Sequence, residues 1–193
     1  EISKIAVGAV RVVDVVVAIA LRRGGQDRHR VFADGASQAL AMGRGASDIG
    51  QGSDGMLAYI LAEQTGVNPD DIVVVSGDTD LTPVDLGAYS SRITYMVGIA
   101  AKQAGEAIRT RMVSATAAHW DVPAEQVGVA LGHLFDKSDS ARQVSSQAAL
   151  QLAEAAGGPI AESGAYWTQK IGGDYRGGTI GASPAYSTTA HVA

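Results

Sequence analysis

The chain has 193 residues, 46% hydrophobic and 18% charged, with 24 glycines and 5% aromatics. That balance excludes a disordered chain and describes a core packed from Ala, Val, Ile and Leu with many tight turns. A net charge of −5 argues against a nucleic-acid binder, and the lack of cysteine excludes disulfides, thiolate catalysis, Fe–S ligation and Cys-type zinc sites; a cytoplasmic location is expected.

Segment 5–21 is dominated by Val and Ile and reads as β. Arg11 and Asp14 interrupt it, which is costly in a membrane span. The same two charges spoil the apolar core that the signal-peptidase-like Ala18-Ile19-Ala20 would need. Gly24-Gly25 and Asp34-Gly35 are turn signals, and the basic cluster Arg22, Arg23, Arg28, His29 and Arg30 reads as a solvated loop. Residues 36–42 carry a weak strand preference.

The spacing predicts a helix over 53–65, with Ser53 as N-cap, Met56, Leu57, Ile60 and Leu61 on one face, and Gly66 just past the end. Asn68-Pro69-Asp70-Asp71 is a turn before a strand at 72–75, and 76–89 is a polar loop. A long helix is expected from about Ser91 to His119; Gly98 and Gly105 inside it imply close packing on a neighbour. A strand over 127–131, a Gly132-His133 turn, a return strand at Leu134-Phe135 and a helix over 145–156, capped by Ser145 or Ser146, complete the regular pattern. The plan helix–Pro turn–strand occurs twice, at 53–75 and 91–131. From Gly157 the pattern fades into a glycine-rich loop, Gly172 to Gly178, and the chain reads as a fragment.

Two stretches carry chemistry. Gly50-Gln51-Gly52-Ser53 opens the first helix, and Ser90-Ser91-Arg92 opens the long one. Each is expected to offer free backbone N–H groups and a positive helix end to an anion, with the Arg92 guanidinium completing a phosphate grip at the second. No Gly-Lys-Ser/Thr follows the first loop, so it is not a P-loop, and Asp48 breaks a Gly-x-Gly-x-x-Gly reading. Asp78, Asp80 and Asp85 read as turn-forming and capping carboxylates, because their spacing lacks a calcium-loop pattern. His29, His119, His133 and His191 show no ligand spacing, and no Gly-x-Ser-x-Gly elbow is present.

In order and spacing, Gly45-Ala46-Ser47-Asp48-Ile49-Gly50-Gln51-Gly52-Ser53, Gly77-Asp78-Thr79-Asp80-Leu81-Thr82-Pro83 and Gly87-Ala88-Tyr89-Ser90-Ser91-Arg92 resemble the molybdopterin-binding large subunit of the xanthine dehydrogenase/aldehyde oxidase family. Segments 83–92, 172–178 and 183–187 most resemble its 4-hydroxybenzoyl-CoA reductase branch. The resemblance covers roughly 31–193; residues 1–30 depart from the family pattern.

The resemblance implies an α+β fold of mixed sheets with packed helices, part of a molybdopterin-binding domain. It divides the chain into a β-rich N-terminal segment, 1–44, and a partial cofactor-binding domain, 45–193. It places Gly50, Gln51, Gly52, Ser90, Ser91 and Arg92 against a molybdenum cofactor. The metal is held by the pterin dithiolene, so the resemblance assigns no metal ligand and no catalytic residue to this chain; the family's glutamate base lies in a part of the subunit that this chain does not contain. It implies Fe–S clusters and FAD on partner subunits or domains of a hetero-oligomer, and an aromatic acyl-CoA or other small molecule as substrate. Reductive dehydroxylation of 4-hydroxybenzoyl-CoA is the leading expectation, with hydroxylation of a heterocycle or aldehyde as the alternative. A non-catalytic ligand-binding or scaffold domain is the reading from a different class.

Overall fold

The computed structural model describes residues 9–20 and 39–169, apart from 79, 81, 83, 84, 86, 89 and 90. The basic cluster at 22–30, both early turn signals, Ser90 and the glycine-rich loop at 172–178 lie outside the described residues.

Four strands form one sheet in the order β3-β2-β1-β7: β1 (Ala9–Ala20), β2 (Ala39–Arg44), β3 (Ile72–Ser76) and β7 (Ala161–Gln169). β1 runs antiparallel to both β2 and β7, with a register shift between Arg11 and Val13, whereas β2 and β3 run parallel. A parallel pair needs a crossover, and α1 (Ser53–Thr65) supplies it. α1 ends as its sequence demands: Gly66 takes a left-handed conformation at φ 74° and its N–H returns to the Ala62 carbonyl.

The long helix α2 (Gly98–Trp120) packs across β7 and β1, with α1 and α3 (Ser146–Gly157) against it. It is entered through one π turn, Ile93–Val97. Its small residues have the packing purpose their spacing predicts. A Cβ on Gly105 would lie 2.8 Å from the Gln64 Cβ and 3.0 Å from the Leu61 Cδ1 of α1. On the facing strand, a Cβ at Gly164 would collide with the Ala100 backbone. Leu57, Leu61, Val97, Ile108 and Met112 are buried at these contacts. The core is thus aliphatic, as a chain poor in aromatics requires.

A second sheet, β4-β5-β6, comprises Val127–Ala130, His133–Asp136 and Gln143–Ser145. The repeated helix–Pro turn–strand plan is real in detail. α1 and α2 both end on a left-handed residue, Gly66 and Asp121, and a one-turn 3₁₀ segment with a proline at its start, Pro69–Asp71 or Ala124–Gln126, leads into each following strand. The two units join where the Gly132 N–H and the Ser146 Oγ–H both donate to the Gly66 carbonyl, each at 2.7 Å.

Two expectations are corrected. The pattern does not fade at Gly157, since β7 follows and pairs along most of β1. Ser53 is not the N-cap of α1; Gly52 holds that place in a left-handed conformation, and the Ser53 hydroxyl is engaged elsewhere.

Candidate cofactor cradle

β2 and β3 are parallel and in register, with Arg44 opposite Ser76, so both leave the sheet at the same end. The loop after β2 carries Gly50-Gln51-Gly52 and opens α1; the loop after β3 runs to the start of α2. Ligands of sheets with parallel strands gather at this carboxyl end. The topology therefore starts side by side the two loops that carry the motifs singled out in the sequence.

The first loop supplies its own anion. The Asp48 carboxylate accepts from the Gly50 amide at 2.8 Å, the Gly52 amide at 3.3 Å and the Asp54 amide at 3.1 Å. These bonds, that from Asp54 first, hold its carboxyl below the ordinary aspartate value. The expectation of a helix start with all its N–H groups free is thereby corrected: an internal carboxylate already takes part of the positive helix end. Gln51 is folded inward as well. Its Oε1 accepts from the Ile49 amide at 2.6 Å, and its Nε2 donates to the Ser47 carbonyl at 3.2 Å and to Ser53 Oγ at 3.1 Å. Both amide hydrogens are used, leaving an acceptor lone pair on Oε1.

The second loop repeats the device. Asp85 accepts from the Gly87 amide at 2.8 Å and receives both terminal nitrogens of Arg92, at 2.7 and 2.9 Å. Both side chains of this bidentate pair are almost fully buried, at 3% and 2% exposure. Arg92 also donates to the Gly87 carbonyl at 2.5 Å. Its guanidinium ties the loop to α2, and an exposed phosphate grip at Arg92 is not what the structure shows. Ser91 stands at the entrance to α2 with φ 55°. Asp78 caps its own turn by accepting from the Asp80 amide at 2.9 Å, as the spacing predicts.

What the loops present is bare backbone. Gly50, Gly52, Gly77 and Gly87 all have positive φ, and a Cβ on any of them would meet none of the described residues within 4 Å. Inside the elements the reverse holds at Gly66, Gly105 and Gly164. Glycine in open space imposes no packing demand of the protein itself. It leaves peptide faces on which a flat ligand can lie.

Sequence reasoning missed Arg44, the last residue of β2. Leu40, Met42 and Arg44 alternate onto one face and are all 0% exposed. The Arg44 Nη2 donates to Ser53 Oγ at 3.0 Å and pairs with Asp54, while its Nε and Nη1 have no acceptor among the described residues. The strand alternation was a readable signal for this position. The partnership of Asp85 with Arg92 had none, because it depends on the loop path. Among the described residues, no three His, Cys, Asp or Glu side chains stand together as a metal site, and no helix is long and apolar enough to cross a membrane.

A sheet with a parallel edge pair, helices packed on it and two glycine loops at one end defines an α+β ligand-binding domain. Residues 4–193 match the molybdopterin cofactor-binding domain family, and the chain belongs to it. The match takes in nearly all of residues 1–30, so the expected departure of that segment from the family pattern is corrected.

The xanthine dehydrogenase molybdenum-binding subunit of Escherichia coli O157:H7 is 34% identical over 91 residues, 47% of this chain and 12% of that protein. The 6-hydroxypseudooxynicotine dehydrogenase complex subunit gamma of Paenarthrobacter nicotinovorans is 42% identical over 64 residues, 33% of this chain and 8% of that protein. In structure, CO dehydrogenase from Oligotropha carboxidovorans superposes with a TM-score of 0.65 at 20% identity, covering 81% of this chain and 18% of that one. The α+β fold is thus shared with that enzyme. The matched stretches span only about an eighth or less of those curated relatives.

Proposed function

We propose that the chain is the molybdenum-cofactor cradle of a large subunit of molybdenum hydroxylase type, akin to xanthine or carbon monoxide dehydrogenases. The observation that carries this reading is the pair of bare glycine loops at the ends of β2 and β3, in a chain of the molybdopterin cofactor-binding family. Gly50 and Gly52 offer peptide faces and Gln51 an acceptor, a set suited to the amide and amino donors of a pterin. From the sequence motif, Ser90 and Ser91 are the second pair of residues proposed to meet the cofactor, and Arg92 acts by holding its loop through Asp85.

When bound, the cofactor supplies two-electron redox chemistry at molybdenum. The residues of this chain bind and orient it. No catalytic residue is assigned here. Fe–S and FAD partners of a cytoplasmic hetero-oligomer complete the proposed electron path.

Hydroxylation is favoured over reductive dehydroxylation because the named relatives are dehydrogenases. Reduction of 4-hydroxybenzoyl-CoA is the second reading, favoured by the motif at 83–92. The deciding experiment measures molybdenum and released pterin in the protein purified with its natural partners. Stoichiometric amounts of both are expected; finding neither removes the proposal. Assays of the same preparation with purines, aldehydes and 4-hydroxybenzoyl-CoA separate the two reactions.

A further inference from the structure

We propose that Arg44 is a positioning residue for the cofactor loop, acting on Gln51 through Ser53; the inference rests on the cradle reading above. Arg44 occupies a core-facing position of β2, in line with Leu40 and Met42, and is 0% exposed. A leucine or methionine there would serve the fold without desolvating a charge. Arginine brings a buried guanidinium whose Nε and Nη1 find no acceptor among the described residues. Such a group is costly to the fold, which points to a task at the site.

The contacts define that task. Arginine can only donate, so its Nη2 makes Ser53 Oγ an acceptor, at 3.0 Å. The same oxygen accepts from Gln51 Nε2 at 3.1 Å. With Ile49 N–H on Oε1, the carboxamide has one orientation, donors inward and an acceptor lone pair to spare. The pairing of Arg44 with Asp54 anchors the same first turn of α1. The end of a rigid strand thus fixes which way a loop amide presents itself. A ligand that offers a hydrogen-bond donor at Gln51 is accepted without rearrangement, whereas one that offers only acceptors is not.

The test compares Arg44→Met, Arg44→Lys and Ser53→Ala in the subunit purified with its natural partners. Two readouts are taken: the thermal midpoint, and the rate at which pterin is released into buffer. Arg44→Met should keep or raise the midpoint while pterin release accelerates at least tenfold. Arg44→Lys, which retains a donor, should recover part of the loss. Ser53→Ala should accelerate release with little change in midpoint. Unchanged release in both Arg44→Met and Ser53→Ala overturns the inference. Should Arg44→Met fail to accumulate, Ser53→Ala decides alone. Wild-type protein that carries no pterin would instead overturn the cradle reading, so the two failures are distinct.

Discussion

At the residue scale, the two candidate loops are each closed by one aspartate. Asp48 gathers three amides at the start of α1, and Asp85 gathers an amide and a guanidinium before α2. The amides on Asp48 hold its carboxyl below the ordinary aspartate value, so that anion is preformed at neutral pH. Asp136 shows the same behaviour in the second sheet: the Ser138 hydroxyl at 2.6 Å and amide at 2.8 Å, then Arg142, hold its carboxyl below the ordinary 3.8.

The sign follows from linkage. A depressed folded pKa gives stabilisation that is complete above the unfolded value and is lost as pH falls through the folded one. Asp136→Asn should therefore lower the urea midpoint at neutral pH, and the deficit should narrow as the pH falls below the ordinary aspartate value of 3.8. A deficit independent of pH would contradict this account. Gly52 makes a separate case. At φ 75° with none of the described residues near its missing Cβ, Gly52→Ala should cost about 1 kcal/mol in urea melts. Its new methyl would occupy the surface offered to the ligand, so pterin retention should fall further than stability does. The glycines and Gln51 were legible in the sequence because a small-residue loop before a helix has a pattern. Arg44 and the aspartate partners were not, because their roles come from contacts between segments.

At the element scale, α2 is the hub. It lies on β7 at Gly164 and on α1 at Gly105, and it is tied to the chain beyond α3 by Arg111. That guanidinium donates to the Gly158 carbonyl at 2.8 Å, the Pro159 carbonyl at 3.2 Å and Glu162 at 3.2 Å. Gly164→Val should cost about 3 kcal/mol, because the side chain meets helix backbone that cannot move aside. Arg111→Ala should cost about 1 kcal/mol, less than its bond count implies, because the site is partly solvated. Denaturant titration with a shared m-value checks both; equal losses would contradict the ranking. The helices, β3 and β4 follow the predicted ranges closely, since their caps and prolines are local signals. β7 escaped because Ala161–Gln169 has no clean alternation and draws its place from β1.

At the scale of the whole molecule, the fold of the described residues and the family agree, and the proposed function assigns the reacting groups to other parts of the subunit. The matched stretch covers 12% of the xanthine dehydrogenase subunit. The 193 residues expressed alone are expected to show no turnover with purines, aldehydes or 4-hydroxybenzoyl-CoA. Measured activity equal to that of the complete enzyme would refute the assignment of the reacting groups to other parts of the subunit. The loops were legible as candidates, but that they start side by side was not. It follows from the parallel pairing of β2 and β3, and a sequence does not print which strands pair.

The interior place of β1 has a consequence for how the molecule is made. Ala18 faces Ala41 on one side and Ala161 on the other, so this strand gains its second neighbour from chain synthesised some 140 residues later. On the ribosome, β1, β2, α1 and β3 can assemble while β1 still presents an open flank. That flank is a ready template for a foreign strand until residue 169 has emerged. The first of the cradle loops thus belongs to the portion that can form early, and the strand that covers the flank of β1 comes late. A stalled or truncated nascent chain should aggregate through β1 before any cofactor arrives.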